Sequence, residues 1–381
     1  MKFFLHLVNL NYMKNKIMIN ASNLYVGGGV QVAVSVIEEL SQLNIPFVAA
    51  ISPLVEKQLS TKALKQCVLI GKSPSGLRNF EIRKKLSDIV SEYSVSNVFT
   101  VFGPSYWTPP KHVKHTVGFA LPWLIYDVDY LYSKLTLLGK LKKYLLKYLQ
   151  VFYYKNNANY IITETDDVSE NVCKLMGFSK DKVFTVSNTL NSIFYHNELY
   201  DDSVLNRLPP KKDDEYWLLT ISHNYPHKNL GVIKELVRLL PNKYKFITTL
   251  NEDFTENLAP EHKERIITLG AISVNQCPPL YGICDALFLP TLLECFSASY
   301  LEAMYSEVAI LTSDLSFAHT VCKEAALYFN PYDINDMANK IKESCEDAKL
   351  KSILIKNGRE QLIKFPDARD RAMRYMDIIS S

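Results

Sequence analysis

Leu289-Pro290-Thr291-Leu292-Leu293-Glu294-Cys295-Phe296-Ser297-Ala298-Ser299-Tyr300-Leu301-Glu302-Ala303-Met304 holds a strand end, a loop and a helix start in one short stretch. The apolar run Ala286 to Leu289 reads as a buried strand. Pro290 ends it, and Ser299 reads as the N-cap of a helix that starts near Tyr300. Glu294 then lies on the loop and Glu302 in the first helical turn. Both can face the crevice outside the carboxyl ends of a parallel sheet, where open α/β sheets bind ligands. A second reading stays open, in which Glu302 only favours a helix N-terminus electrostatically and Glu294 is a solvated loop residue.

Working outward, strand-like runs alternate with helix-length amphipathic segments, the pattern of parallel α/β layers. In the first half the runs are 17–20, 47–51, 97–101, 116–119, 160–163 and 183–186; in the second they are 217–221, 245–249, 265–269, 286–289, 308–312 and 327–329. Between them lies a polar stretch with Asn188, Asn191, Pro209, Pro210, Lys211 and Lys212. This pattern predicts an α/β protein of two doubly wound Rossmann-like domains facing across a cleft. The expected boundaries are an N-terminal domain over 1–190, a linker over 191–212 and a C-terminal domain over 213–365. A last helix in 366–381 is expected to pack back on the first domain.

The chain has 381 residues, 48% hydrophobic and 22% charged, which suits two globular domains and not a disordered chain. No apolar run reaches the roughly 18–20 residues that span a bilayer. The opening Met1 to Leu10 is interrupted by His6 and Asn9, and it reads as a first strand or as a ragged start upstream of Met13. Seven cysteines without paired spacing read as reduced thiols in a cytoplasm. A net charge of +3 is too small to argue for a nucleic-acid partner.

Two further segments carry candidate chemistry. Gly27-Gly28-Gly29 follows the strand 17–20 and precedes the amphipathic segment Val30 to Leu43. Glycines there let the backbone approach a ligand at a helix N-terminus; the alternative is a turn that needs positive φ. The spacing is not G-x-G-x-x-G, which argues against a dinucleotide-dependent dehydrogenase. Lys228, in Ser222-His223-Asn224-Tyr225-Pro226-His227-Lys228-Asn229-Leu230, stands between the strand 217–221 and a helix expected near Asn229. There it can neutralise a diphosphate or simply be a solvated loop lysine.

Together these segments, with Val308 to Ala318 and Glu324 to Asp333, resemble the retaining glycosyltransferases of family 4 in order, spacing and context. The resemblance implies the GT-B fold and transfer of a sugar from a nucleotide-sugar donor to a growing polysaccharide or lipid-linked oligosaccharide, as in O-antigen or capsule synthesis. It assigns Glu302 to ribose hydroxyls, Glu294 to the donor sugar, and Lys228 to the diphosphate. Gly28, Gly29, His223, Phe296 and Ser297 complete the donor-binding set, with Glu294 and Lys228 as the catalytic pair. Departures accompany it: His223 stands where family members carry an arginine, and Cys295 and Ser297 flank Phe296 where they carry glycines. No histidine follows the strand 116–119, since His115 lies at its start, so the acceptor-activating group is unassigned. A leaving diphosphate that takes the acceptor proton needs none. No cofactor or metal is expected, Asp127-Val-Asp129 being the only Asp-x-Asp and outside the donor half. The rival readings are a phosphorylase or epimerase using the same cleft, and a catalytically silent nucleotide-sugar-binding or scaffold subunit.

From Tyr130 to Thr163 there is no Asp or Glu, while Lys134, Lys140, Lys142, Lys143, Lys147 and Lys155 lie among seven tyrosines. Leu138, Leu141, Leu145, Leu149 and Phe152 recur at helical spacing, with Lys140, Lys143 and Lys147 on another face. This reads either as peripheral contact with an anionic membrane through 134–155, at the inner face of the plasma membrane, or as a domain helix with a solvated lysine face.

Overall fold

The computed structural model describes residues 16–76, 78–127, 130, 133 and 135–381. The readings on Met1 to Leu10, Met13, Lys134 and most of Asp127-Val-Asp129 therefore lie outside the described residues. The chain forms two units, one up to Asn188 with Pro366–Ser381 added and the other Thr189–Phe365.

The first unit is built on a seven-stranded parallel sheet: β1 (Ile17–Ala21), β2 (Phe47–Ile51), β3 (Cys67–Leu69), β4 (Asn97–Thr100), β5 (Lys114–Gly118), β6 (Tyr160–Thr163) and β7 (Val183–Thr185), in the order β3-β2-β1-β4-β5-β6-β7. The β1 run Ile-Met-Ile-Asn-Ala is buried throughout, as a strand covered by helices on both faces must be. The helices of seven or more residues here are α1 (Gly28–Gln42), α2 (Phe80–Glu92), α3 (Leu137–Asn157) and α4 (Asp166–Met176).

The second unit carries a six-stranded parallel sheet: β8 (Tyr216–Thr220), β9 (Tyr244–Thr248), β10 (Ile266–Thr268), β11 (Ala286–Leu289), β12 (Ala309–Ser313) and β13 (Ala326–Phe329), in the order β10-β9-β8-β11-β12-β13. Its helices of seven or more residues are α5 (Val232–Leu239), α6 (Cys277–Ile283), α7 (Ala298–Tyr305), α8 (Ser316–Cys322), α9 (Ile334–Glu346) and α10 (Ala348–Leu362). Helices α9 and α10 begin where Asp333 and Asp347 accept from backbone amides two and three residues on.

The last helix, α11 (Ala368–Ser380), belongs to the first unit: Ala372, Tyr375, Met376 and Ile379 share a core with Val32, Val36 and Phe99. The rings of Phe99 and Tyr375 lie 5.0 Å apart.

Two expectations change. The segment 191–212 is not an extended linker but part of the second unit, held by three 3-10 turns whose Phe194 and Val204 are buried. Its polar composition hid those anchors. The edge strand β3 was not expected, since three residues are too few to display a period.

Each sheet reverses its strand order once, between β1 and β4 and between β8 and β11. Loops leaving the carboxyl ends of such neighbours diverge and open a crevice.

Candidate functional site

In the first unit that position is flanked by the loop after β1, which runs into Gly27-Gly28-Gly29, and by the chain after β4; Asn23 Nδ2 donates to Phe102 O at 2.7 Å across them. Gly27 has φ +65 and ψ −155, a backbone conformation that glycine adopts and side chains resist. Gly28 and Gly29 are the first residues of α1, so the helix starts two residues earlier than the pattern suggested. A side chain at Gly29 would press on Leu24 and Phe102, whereas Gly28 faces open space.

In the second unit, β8 delivers the turn with Lys228 and β11 delivers the loop with Glu294. The strands are paired through Ala286 with Leu218 and Leu287 with Leu219, and Thr220 Oγ1 donates to Phe288 O at 2.7 Å. Beyond the strand ends the two loops are tied again. His227 O accepts from Leu292 N at 2.7 Å and from Thr291 Oγ1 at 3.3 Å. Lys228 does not sit at a helix start: it ends a 3-10 turn, Pro226–Lys228, followed by Asn229 with φ +54, and α5 begins only at Val232. The left-handed residue is an asparagine, which tolerates that region better than most, and its Nδ2 donates to Pro331 O at 3.2 Å.

Around Glu294, Leu292, Leu293 and Cys295 are buried, which fixes the loop and leaves the carboxylate between two anchors. That carboxylate forms an ion pair with Lys228, and the same Oε1 accepts from Thr291 Oγ1 at 3.3 Å. The side chains are 22% and 12% exposed, so water screens the pair less than it would at an open surface. Burial, and next the charge of Lys228, hold the His227 imidazole below its ordinary pKa, with Glu294 opposing. His223, exposed, starts a row of rings: His223 and Tyr225 lie 5.7 Å apart, and Tyr225 stacks on His227 at 5.7 Å and 12°.

Ser297, not Ser299, is the residue before α7, and its side chain makes no capping bond. With the helix beginning at Ala298, Glu302 falls in the second turn, so the helix-dipole reading does not apply to it. Glu302 Oε2 accepts from the hydroxyl of buried Tyr281, on α6, at 2.8 Å. Glu302 is half-buried, and burial pushes its pKa up to about 7, against the lowering effect of the Tyr281 hydrogen bond. Phe296 packs edge-on against Phe365 with centroids 6.0 Å apart.

The structure thus joins Lys228 directly to Glu294, gives Glu302 a different partner, and leaves Gly28 and Gly29 in the other unit. Thr291, His227 and Tyr281 were missed. Thr291 and His227 stood beside named residues, but Tyr281 lies 21 positions before Glu302 with no pattern to mark it.

One match falls on this unit: residues 205–361 fit the family model described as glycosyl transferases group 1. Over those residues the second unit is similar to the group 1 glycosyl transferases. Among curated relatives, the chain is 24% identical over 191 residues to the O-antigen chain mannosyltransferase RfbU of Salmonella typhimurium, covering 49% of this chain and 50% of that protein. It is 25% identical over 251 residues to the N,N'-diacetylbacillosaminyl-diphospho-undecaprenol alpha-1,3-N-acetylgalactosaminyltransferase of Campylobacter jejuni, covering 63% of each. The chain thus matches about half the length of the first relative and under two thirds of the second. Among solved structures, Anabaena HepE in complex with UDP-glucose superposes with a TM-score of 0.71 at 13% identity over 96% of this chain and 99% of that one. WaaG, a glycosyltransferase involved in lipopolysaccharide biosynthesis, does so with 0.68 at 14% over 95% and 99%. This likeness gives the fold: GT-B, two doubly wound units.

Proposed function

We propose that the chain is a retaining, metal-independent glycosyltransferase that moves a sugar from a nucleotide-sugar donor to a growing polysaccharide or a lipid-linked oligosaccharide. The observation that carries this reading is the pairing of Lys228 with Glu294 on the two loops that flank the β8/β11 switch point, with Glu302 on the helix that follows. Lys228 faces the donor diphosphate and balances charge that grows on it as the glycosidic bond breaks. Glu294 accepts from the sugar hydroxyls and Glu302 from the ribose hydroxyls, which fixes the donor at both ends of its diphosphate. The departing diphosphate takes the acceptor proton, so the protein needs no separate strong base. Gly28 and Gly29 leave the α1 N-terminus free of side chains, and His223, Phe296 and Ser297 line the donor side in the second unit. The test is transfer from a panel of nucleotide sugars to a diphospholipid-linked sugar, with the product's anomeric configuration read by NMR. Inversion, or donor consumption only with added phosphate, would overturn the reading.

A second observation bears on the acceptor. Along α3 the leucine stripe is not packed into the unit: Leu137, Leu138, Leu141, Tyr144, Leu145, Tyr148, Leu149 and Phe152 are exposed. The helix is seated by the other side, where Gln150 and Tyr154 are buried and Lys143 stands over the Trp123 ring at 5.5 Å. The domain-helix reading of this segment is therefore inverted, with the apolar face outward. Among the described residues no helix is long and apolar enough to cross a membrane. An exposed apolar stripe on a helix with five lysines and no acid suits the headgroup region of an anionic bilayer. In this reading α3 holds the enzyme at the surface where lipid-linked acceptors lie.

A further inference from the structure

The amine and the carboxylate assigned to the donor are bonded to each other. We propose that the Lys228–Glu294 ion pair is a latch that the donor opens, so that the pair distinguishes a complete nucleotide sugar from the spent nucleoside diphosphate. The inference rests on the reading of Lys228 as the diphosphate's partner and of Glu294 as the sugar's.

The geometry fits a latch. The backbone bond from Leu292 N to His227 O and the Thr291 hydroxyl hold the two loops in register whether or not the ion pair is closed. Lys228 has a flexible four-carbon stem and can swing, whereas Glu294 stays tethered by Thr291 Oγ1 and by its buried neighbours Leu293 and Cys295. Because both side chains are largely sheltered, opening the pair leaves each in need of a new partner. A nucleoside diphosphate gives one to Lys228 alone and strands Glu294 with a single hydroxyl donor. A nucleotide sugar supplies both, since its phosphate oxygens accept from the amine and its sugar hydroxyls donate to the carboxylate. Once the sugar has left, Glu294 retakes Lys228 and the nucleoside diphosphate is displaced.

The consequence departs from a simple sugar contact, which would leave nucleoside-diphosphate affinity unchanged when Glu294 is altered. Calorimetry with UDP and GDP should show that Glu294→Gln binds the diphosphate that the wild type prefers about fivefold more tightly, the scale expected for a partly screened ion pair. Glu294→Asp keeps the charge but withdraws it from Lys228, and it should show a gain of the same sign. In a Lys228→Met background neither change should give any gain. Thermal melts check that each variant is folded. If Lys228→Met weakens diphosphate binding while both Glu294 variants leave it unchanged or weaker, the latch is wrong and the donor assignment stands. A gain that persists without Lys228, or one seen with Gln but lost with Asp, means simple repulsion of phosphate by Glu294 and also overturns the latch. If Lys228→Met changes nothing, or the wild type binds neither nucleotide, the donor assignment itself fails.

Discussion

Replacing Glu302 by Gln should make the protein more stable above neutral pH, by an amount that grows as the pH rises through 7. The carboxyl accepts from Tyr281, and burial raises its pKa from an ordinary 4.5 to about 7. An acid whose pKa is higher folded than unfolded is held best in its protonated form. The favourable contribution is complete below pH 4.5 and is lost as the pH rises through 7. A displacement of about 2.5 units, at roughly 1.4 kcal/mol each, makes the ionised carboxylate cost about 3 kcal/mol above pH 7 and almost nothing near pH 4.5. Glutamine keeps an oxygen for the Tyr281 hydroxyl and never ionises. Its own N–H groups need partners, which offsets part of the gain by about 1 kcal/mol at every pH. The difference between variant and wild type should therefore open by about 2–3 kcal/mol between pH 5 and pH 8.5, read from urea midpoints at constant ionic strength. Because both proteins share every other titrating group, those contributions cancel. A difference that stays flat over this range would refute a raised pKa at Glu302. The same displacement predicts nucleotide binding that strengthens as the pH rises through 7, since the ionised form is the better acceptor for ribose hydroxyls.

Transfer should persist in excess EDTA, with Lys228 acting as the electrostatic partner of the diphosphate; loss of activity that magnesium or manganese restores would contradict the metal-free assignment. Changing Leu141, Leu145 and Leu149 together to Ser should abolish co-sedimentation with anionic vesicles while shifting stability by no more than about 0.5 kcal/mol per site, because these side chains are exposed. High salt should weaken the same association in the wild type, because it screens the attraction between the lysines of α3 and the anionic surface. Gly27→Ala should destabilise the first unit by about 1–3 kcal/mol through backbone strain alone, since a methyl there meets no atom within 4 Å; a melt unchanged from wild type would remove the strain argument.

Most of the fold was legible because fully buried parallel strands are spelled as short apolar runs. Twelve of the strands lie within two residues of where those runs place them, and the three-residue edge strand β3 has too little length to register. Helix starts were less legible. The pattern placed a cap at Ser299, whereas the helix begins after Ser297; that start depends on where the chain leaves β11, which local pattern does not encode. On α3 the spacing of Leu138, Leu141, Leu145 and Leu149 defined an apolar face correctly. Periodicity reports which residues share a face and not what covers it, so the direction of that face became visible only once Gln150 and Tyr154 were seen to be the buried pair.

The candidate site shows the same division. Glu294 and Lys228 were each identifiable in their own loops, 66 positions apart, but their contact depends on a long-range fact: β8 and β11 are neighbours although two strands and several helices separate them in sequence. At that neighbouring pair the sheet changes winding direction, so the connections diverge, the geometry that opens a crevice in such sheets. The chain bridges it by backbone, from Leu292 N to His227 O, and then by the ion pair one residue beyond His227. A sequence can advertise a lysine fit for phosphate and a glutamate fit for a sugar, because each role is a matter of residue type and loop position. That the two groups reach each other is a property of the strand order, and under the proposed latch it changes the expected effect of altering Glu294 from none on diphosphate binding to a gain.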